Sequence, residues 1–256
     1  MPPPPQEQQQ QQQPRRPQGG RRPRPPPAPP PMATYTDEMA AFYGAWVERE
    51  EQLAAELAAA LALPQPRRRR DAVAPLVDAA VGHVAAYYEH KACLADRDVV
   101  AALDPSWLNP LERTFLWAWG WKPALVFRFA DAAAGAQLEE LRAATAAAER
   151  EVEREVAAVQ ESLAGPRVLA ALRRQQAPPR NGEAAAADDA VVAVGRALRV
   201  LLGAADALRQ RTLRAVVALL TPEQAAAAVA AMLRFHIGIR RAGRDWGSGH
   251  GGQRGA

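Results

Sequence analysis

The sequence predicts an all-α protein, an antiparallel bundle of long helices behind a Pro- and Gln-rich N-terminal tail. Three observations carry that expectation. Apolar residues recur every three or four positions from Thr36 onward, the period of a helix with one buried face. Alanine, the strongest helix former, is abundant along the whole chain. No stretch shows the two-residue alternation of a half-buried strand, and no repeat of solenoid length is present.

The tail comes first. Met1 to Pro31 holds 13 of the 23 prolines and a Gln-rich run from Gln6 to Gln13. Such a composition cannot bury enough apolar surface to offset chain entropy, so residues 1–33 are expected to be disordered. Its proline runs fit polyproline ligands of SH3-like or WW-like domains, against the plainer reading of a solvated tail. Five Arg and one Glu lie in Met1 to Ala33, so the net charge of +4 belongs to the tail and the rest of the chain is balanced. Acids and bases interleave through that rest, which argues against direct nucleic-acid binding by the folded part.

The elements follow in order. Thr36 is expected to cap a first helix with Asp37 and Glu38 in its first turn and Met39, Phe42, Tyr43, Trp46, Leu53 and Leu57 along one face. Pro64 and Pro66 end it, leaving Arg67 to Arg70 as a basic linker, either a solvated loop or a nuclear import signal. Asp71 to about Leu94 reads as a second amphipathic helix through Val73, Leu76, Val77, Val81, Val84 and Tyr88. A short turn over Asp96 to Leu103 precedes the break at Asp104 and Pro105. Asn109, Pro110 and Glu112 then supply cap, first-turn proline and third-position acid for a helix to about Trp119, with Gly120 as a left-handed stop. Pro123 opens a helix through Ala133. Gln137 to Arg174 is a long seam, with a break expected at Gly165 and Pro166. Ala177 to Ala187 reads as a flexible connection, and Val191 to Leu219 as a second long helix. Thr221 and Pro222 open the last helix, which is expected to end near Ala242. The domain expectation is thus a tail at 1–33, a helical domain at 34–246 and a disordered Gly-rich tail at 247–256.

Several function classes are disfavoured. Cys93 is the only cysteine, so neither an internal disulfide nor a cysteine-rich metal site can form, and no metal is expected. No apolar stretch approaches bilayer length, and the N-terminus lacks a signal-peptide core, which predicts a nuclear or cytoplasmic protein with no membrane partner. The histidines are His83, His90, His236 and His250; no nucleophile elbow or phosphate loop accompanies them, so no enzyme is expected.

The densest signal is Asp104 to Pro123, DPSWLNPLERTFLWAWGWKP, with four of the six tryptophans. It resembles the signature of the Delay of Germination (seed dormancy control) domain, which plants also place at the C-terminal end of TGA-type bZIP transcription factors. Trp107, Glu112, Trp117, Gly120 and Trp121 sit where that pattern expects them, with Lys122 in place of a more usual Arg. Two more segments agree in order. HVAAYYEHKACLADRDV resembles the family's His-Tyr helix and Asp turn, carried here by His83, Tyr88, Lys91 and Asp98. DALRQRTLRAVVALL resembles its Asp-x-Leu-Arg-x-x-Thr-Leu segment, carried by Leu208, Arg209 and Thr212. Together they span roughly Thr36 to Trp246.

The resemblance implies a non-enzymatic regulatory adaptor in abscisic acid and germination or developmental signalling, binding type 2C protein phosphatases. A transcriptional co-regulator paired with TGA-type bZIP factors is the alternative; with no basic region ahead of Thr36, DNA would be reached only through the bZIP partner. No cofactor is required, but family members are associated with haem, which makes His236, in the apolar stretch LRFHIGI, a candidate axial ligand. Haem or lipid carriage is a third alternative, against histidines simply hydrogen-bonded at a helix interface. Most of the tryptophans are expected in the core, with Trp119, Trp121 and Lys122 the candidates for a partner groove and Trp121 foremost. Oligomeric state stays open between monomer and homo-oligomer.

Overall fold

The structure, a computed structural model, describes residues 34–130, 135–166, 169 and 183–249. The expected tail at 1–33, the first part of the connection after Ala177 and the last residues from 250 lie outside the described residues.

Helix α1 spans Tyr35–Leu61. Thr34, not Thr36, caps it. The Thr34 hydroxyl accepts from the Asp37 amide at 3.2 Å and the Asp37 carboxylate accepts from the Thr34 amide at 2.8 Å. The reciprocal pair needs an acid three residues on, and Thr36 has Met39 there. Helix α2 spans Pro66–Arg97 and takes Arg67 to Arg70 into its first turn, so the expected basic linker is helix. Pro66 explains the difference, since a proline at the first helical position forfeits an amide that would have had no partner. Arg69 then donates to the Leu63 carbonyl and Arg70 faces Glu223.

Asp98 caps the short α3 (Val99–Leu103) by accepting from the Ala101 amide. Helix α4 (Pro110–Thr114) starts on the expected Asn109–Glu112 capping box but stops five residues short of Trp119. Pro123–Arg128 forms a 3-10 helix where an α-helix to Ala133 was expected. Both segments have their backbone groups taken by buried side chains, a tertiary effect described below. Helix α5 spans Gly135–Leu163 and ends just before Gly165 and Pro166. Helix α6 spans Glu183–Leu219, so residues 183–187 of the expected flexible connection are helix, as their alanine run favours, and α7 spans Pro222–Gly249, beyond the expected end at Ala242 and into the tail expected to be disordered from 247.

The amphipathic faces meet as their spacing requires. Helix α1 packs on α2 and α7, and α6 packs on α5 and the 3-10 helix. Along α1 and α2, Glu38 pairs with Arg97, Phe42 stacks on His90 and Trp46 on His83, so the order of one helix reverses that of the other. Leu53, Leu57, Val73, Phe127, Leu138, Val216 and Leu233 are among the side chains sealed in the main core. No strand occurs among the described residues beyond one isolated bridge between Trp117 and Gly120.

Candidate functional site

A helix stripe should be apolar, yet several stripes here carry ions. In α1, Glu50 falls on the face of Tyr43, Trp46, Leu53 and Leu57 and is fully buried. An isolated buried carboxylate is untenable, and Glu50 finds the Arg240 guanidinium from α7 and His236 Nδ1 at 3.3 Å. Arg240 also donates to Glu112 at 3.0 Å and to the Tyr43 hydroxyl at 2.7 Å, and that hydroxyl donates to Glu112 at 2.6 Å. Burial pushes the Glu50 carboxyl up, but His236 and Arg240 outweigh it and hold it below the usual carboxylate range. Burial drives the Tyr43 hydroxyl far above its ordinary value, so it stays protonated and donates. Glu112 therefore does two jobs: one oxygen caps α4 through the Asn109 amide and the other anchors α4 to α7.

The second buried cluster has the opposite balance. Lys91 of α2 is fully buried, with Asp206 of α6 at 3.2 Å, and Asp206 also takes Arg209 at 2.5 Å. Two cations thus share one carboxylate. The remaining hydrogens go to backbone carbonyls of a single loop: Lys91 donates to Trp119 at 2.6 Å, and Arg209 to Ala118 at 2.8 Å, to Trp121 at 2.7 Å and to Trp117. Burial, followed by the Asp206 and Arg209 charges in opposition, pushes the Lys91 ammonium down to about 8.

Those bonds explain why α4 ends early. The Trp117 and Gly120 amides and carbonyls pair with each other at 2.7 and 3.0 Å, closing a two-residue turn. Its central residues, Ala118 and Trp119, have φ of 42° and 64°. That region costs a non-glycine residue roughly 1–2 kcal/mol, and here the buried cations supply the compensation. The left-handed pair is Ala118–Trp119 and not Gly120, as the sequence suggested. Gly120 is needed for another reason: a Cβ there would lie 2.7 Å from Cζ of Arg209. Further along, the Glu149 carboxylate of α5 accepts the Ala124 amide at 2.7 Å, and Glu153 accepts from Trp117 Nε1 at 2.7 Å and from Lys122 at 3.3 Å.

Two small cavities, of about 60 and 40 Å³, share Val84, Tyr88, Trp121 and His236 in their walls. The Trp121 ring stacks on His236 at 4.7 Å and on the half-exposed Phe115 at 6.1 Å. A porphyrin at His236 does not fit this arrangement: the ring is clamped between Trp121 and Glu50, beside spaces far below the roughly 300–1,000 Å³ of a cofactor site.

Of the residues singled out from sequence, Lys91, Trp117, Gly120, Trp121 and Arg209 converge on the loop, and Glu112 and His236 meet in the first cluster. The others are dispersed. Asp98 caps α3, Trp107 donates to the Tyr87 hydroxyl at 3.3 Å, and Leu208 is buried against Val152 and Ala205. Thr212 bonds its own helix at Leu208, and Tyr88 is buried edge-on to Tyr87. His83 stacks on Trp46 at 4.4 Å; burial holds it neutral, at about 4, and its Nε2 finds no hydrogen-bond partner among the described residues. Sequence reasoning passed over Glu50, Glu149 and Arg240, placed Tyr43 only among the apolar stripe of α1, and met Asp206 only as the first residue of the Asp-x-Leu-Arg segment. A signal was there, because each sits in register with the apolar stripe of its helix.

A family model described as DOG1, seed dormancy control, matches residues 51–132. Protein DOG1-like 4 of Arabidopsis thaliana is 33% identical over 183 residues, covering 68% of this chain and 77% of that protein. The chain belongs to the seed dormancy control family. That family is regulatory and not catalytic, and the role of this member is regulatory. Protein RESPONSE TO ABA AND SALT 1 of the same plant is 29% identical over 211 residues, 78% of this chain and 92% of that one. Transcription factor TGAL9 of Oryza sativa subsp. japonica is 38% identical over 89 residues, 32% of this chain and 25% of its own length. No helix among the described residues is long and apolar enough to cross a membrane.

Proposed function

We propose that this family member is a regulatory adaptor that binds protein partners through the surface around the Trp117–Trp121 turn, in abscisic acid and germination or developmental signalling. The observation that carries the reading is the turn itself. Two left-handed non-glycine residues are held by buried cations, and backbone strain of that kind is kept where a surface must have one shape. The turn presents Phe115 and Trp121, the ring types enriched where proteins bind one another. Type 2C protein phosphatases, in the nucleus and the cytoplasm, are the proposed partners, and the abscisic acid response in the name of one relative supports that pathway. Capture from seed or flower extract with the full chain tests it: phosphatases should be recovered with the wild type and lost with Trp121→Ala. Recovery unaffected by that substitution would overturn the assigned surface.

A second reading has its own support in the segment shared with TGAL9, a relative described as a transcription factor. In that reading the chain pairs with TGA-type bZIP factors and reaches DNA only through them. Recovery of bZIP proteins in place of phosphatases decides for it.

A further inference from the structure

Helix α6 is apolar on more sides than the fold covers. From Ala190 to Leu208 it carries only three charges, Arg196, Arg199 and Asp206. Two of them turn inward, Arg199 to Asp96 at 2.7 Å and Asp206 to Lys91 and Arg209. One side of the helix packs on α5 through Ala205 and Leu208 against Val152, and another on α2 and α3 through Leu202 against Leu94, Ala95 and Ala102. A third side is left to solvent. Ala193, Val200 and Ala204 are exposed on it and Ala197 and Ala207 only partly covered, at the alternating spacing of four and three with which helices seam together. Val200, 69% exposed, is the most exposed large apolar side chain among the described residues. Helix α5 shows what a solvated face of this protein looks like, with Glu139, Glu140, Arg150, Glu151, Arg154 and Glu155 all exposed. A helix apolar all round is normally buried all round.

The charges at the two ends of the open face say what covers it. Asp189 lies eleven residues before Val200 and Arg211 eleven after, about three turns each way, so both fall on that face, and both are exposed. We infer that α6 pairs with α6 of a second copy of the chain, antiparallel about a two-fold axis at Val200. Asp189 of each copy then meets Arg211 of the other at both ends, Ala193 lies over Ala207, and the Arg196 stem runs across Ala204. A parallel pair would set Asp189 on Asp189 and Arg211 on Arg211, so the charges choose the antiparallel one. Side chains this small let the two axes approach at the close end of the usual range of roughly 8–10 Å. Arg209 comes nine residues after Val200, about two and a half turns, which puts it on the opposite side of α6 with the turn that it holds. The pair therefore leaves both Trp117–Trp121 turns open, and two linked copies of a binding surface gain avidity for a partner that offers two sites. The pairing itself does not depend on the adaptor reading.

Sedimentation of the full chain over a wide range of concentration should show a monomer–dimer equilibrium. Val200→Glu sets two like charges on the axis and should leave a monomer, whose melting curve matches the wild type at a dilution where both are monomeric. R211D should weaken association about tenfold, and D189R/R211D, which restores opposite charges across the axis, should recover it. C93S/V200C should cross-link to its own copy on oxidation, because a residue on a two-fold axis meets itself, whereas C93S/R154C, exposed on α5, should not. Trp121→Ala should dimerise like the wild type. A wild type monomeric at every concentration, a dimer that survives Val200→Glu, no recovery in D189R/R211D, cross-linking as ready from position 154, or loss of the dimer with Trp121→Ala would each overturn the inference. Partner capture through the turn needs only one copy, so a monomeric wild type that still captures its partner sinks the pairing and leaves the adaptor reading standing.

Discussion

The two buried ionic clusters use the same kinds of residue for different ends. Around Arg240, two carboxylates and a tyrosine from α1 and α4 meet one guanidinium of α7, with His236 on Glu50, and the links among these groups run from side chain to side chain. Around Arg209, two cations share one carboxylate and spend their other hydrogens on the loop carbonyls of Trp117, Ala118, Trp119 and Trp121. The first arrangement fixes how helices sit against each other. The second fixes the path of a loop that no helix or sheet ladder would hold. Helix packing can be specified by stripes alone, but an irregular loop must have its polar backbone satisfied group by group.

The contrast breaks hardest at Arg240. Replacing it with methionine keeps much of the volume but strands Glu50 and Glu112 without their shared cation. Removing one member of a buried charge pair costs about 3–5 kcal/mol, which for a domain of this size lowers the melting temperature by roughly 6–20 °C. Thermal denaturation followed by circular dichroism measures it. A loss below 1 kcal/mol would mean the cluster is far wetter than its burial implies.

Titration separates the clusters without mutation. Lys91 is depressed to about 8 in the fold and returns to 10.5 when exposed. Between those values the unfolded chain holds a proton that the native one has released, so stability rises with pH, on the order of 2 kcal/mol between pH 8 and 10. Burial holds the Tyr43, Tyr87 and Tyr88 hydroxyls above their ordinary value of 10.0, so above pH 10 the unfolded state loses protons that the native state keeps, and stability falls. Denaturant midpoints across pH 7–11 should therefore pass through a maximum near 10. Lys91→Met should flatten the rising limb alone; a limb that persists in that variant would assign it elsewhere.

These clusters also divide what the sequence made legible from what it did not. The long helices follow from local rules: α7 starts at the expected Pro222, α1 and α2 start from the Thr34 cap and Pro66, local signals that the reading at Thr36 and Asp71 missed by two and five residues, and their stripes are the observed core. The span from Asp104 to Ala130 obeys long-range ones. WAWGW has the composition of a buried helix and becomes a turn because Lys91 and Arg209, 28 and 88 to 92 residues away, claim its carbonyls. Glu149 does the same to the Ala124 amide at the head of the 3-10 helix. The family motif marked Lys91, Gly120 and Arg209, but not why they belong together. Glu50 and Arg240 were readable in principle as charges in register with apolar stripes, and only their mutual contact reveals them as one cluster.

Gly120→Ala probes the loop cluster at its tightest point. The added Cβ must displace the Arg209 guanidinium, an overpacking cost of about 1–3 kcal/mol. Because the displaced group holds the turn and not the helices, amide exchange should quicken at Trp117 to Trp121 more than in α1 or α7. Uniform acceleration across the fold would contradict a loop-specific latch.

The smallest effect is expected at Asn109, at the edge of the Arg240 cluster beside Glu112. Its side chain caps α4 by accepting from the Glu112 amide at 3.0 Å and donates to the Arg240 carbonyl at 3.3 Å, close enough to α7 that a Cβ at position 243 would displace the Asn109 amide group. Asn109→Ala should cost about 1 kcal/mol, the usual value of an N-cap. Asn109→Asp keeps the cap and loses the donor to Arg240, so its melting temperature should fall between those of the alanine variant and the wild type. If the two variants melt together, the bond to α7 and not the cap carries the residue's contribution, and the Arg240 cluster extends one residue further into the loop than its ion pairs indicate.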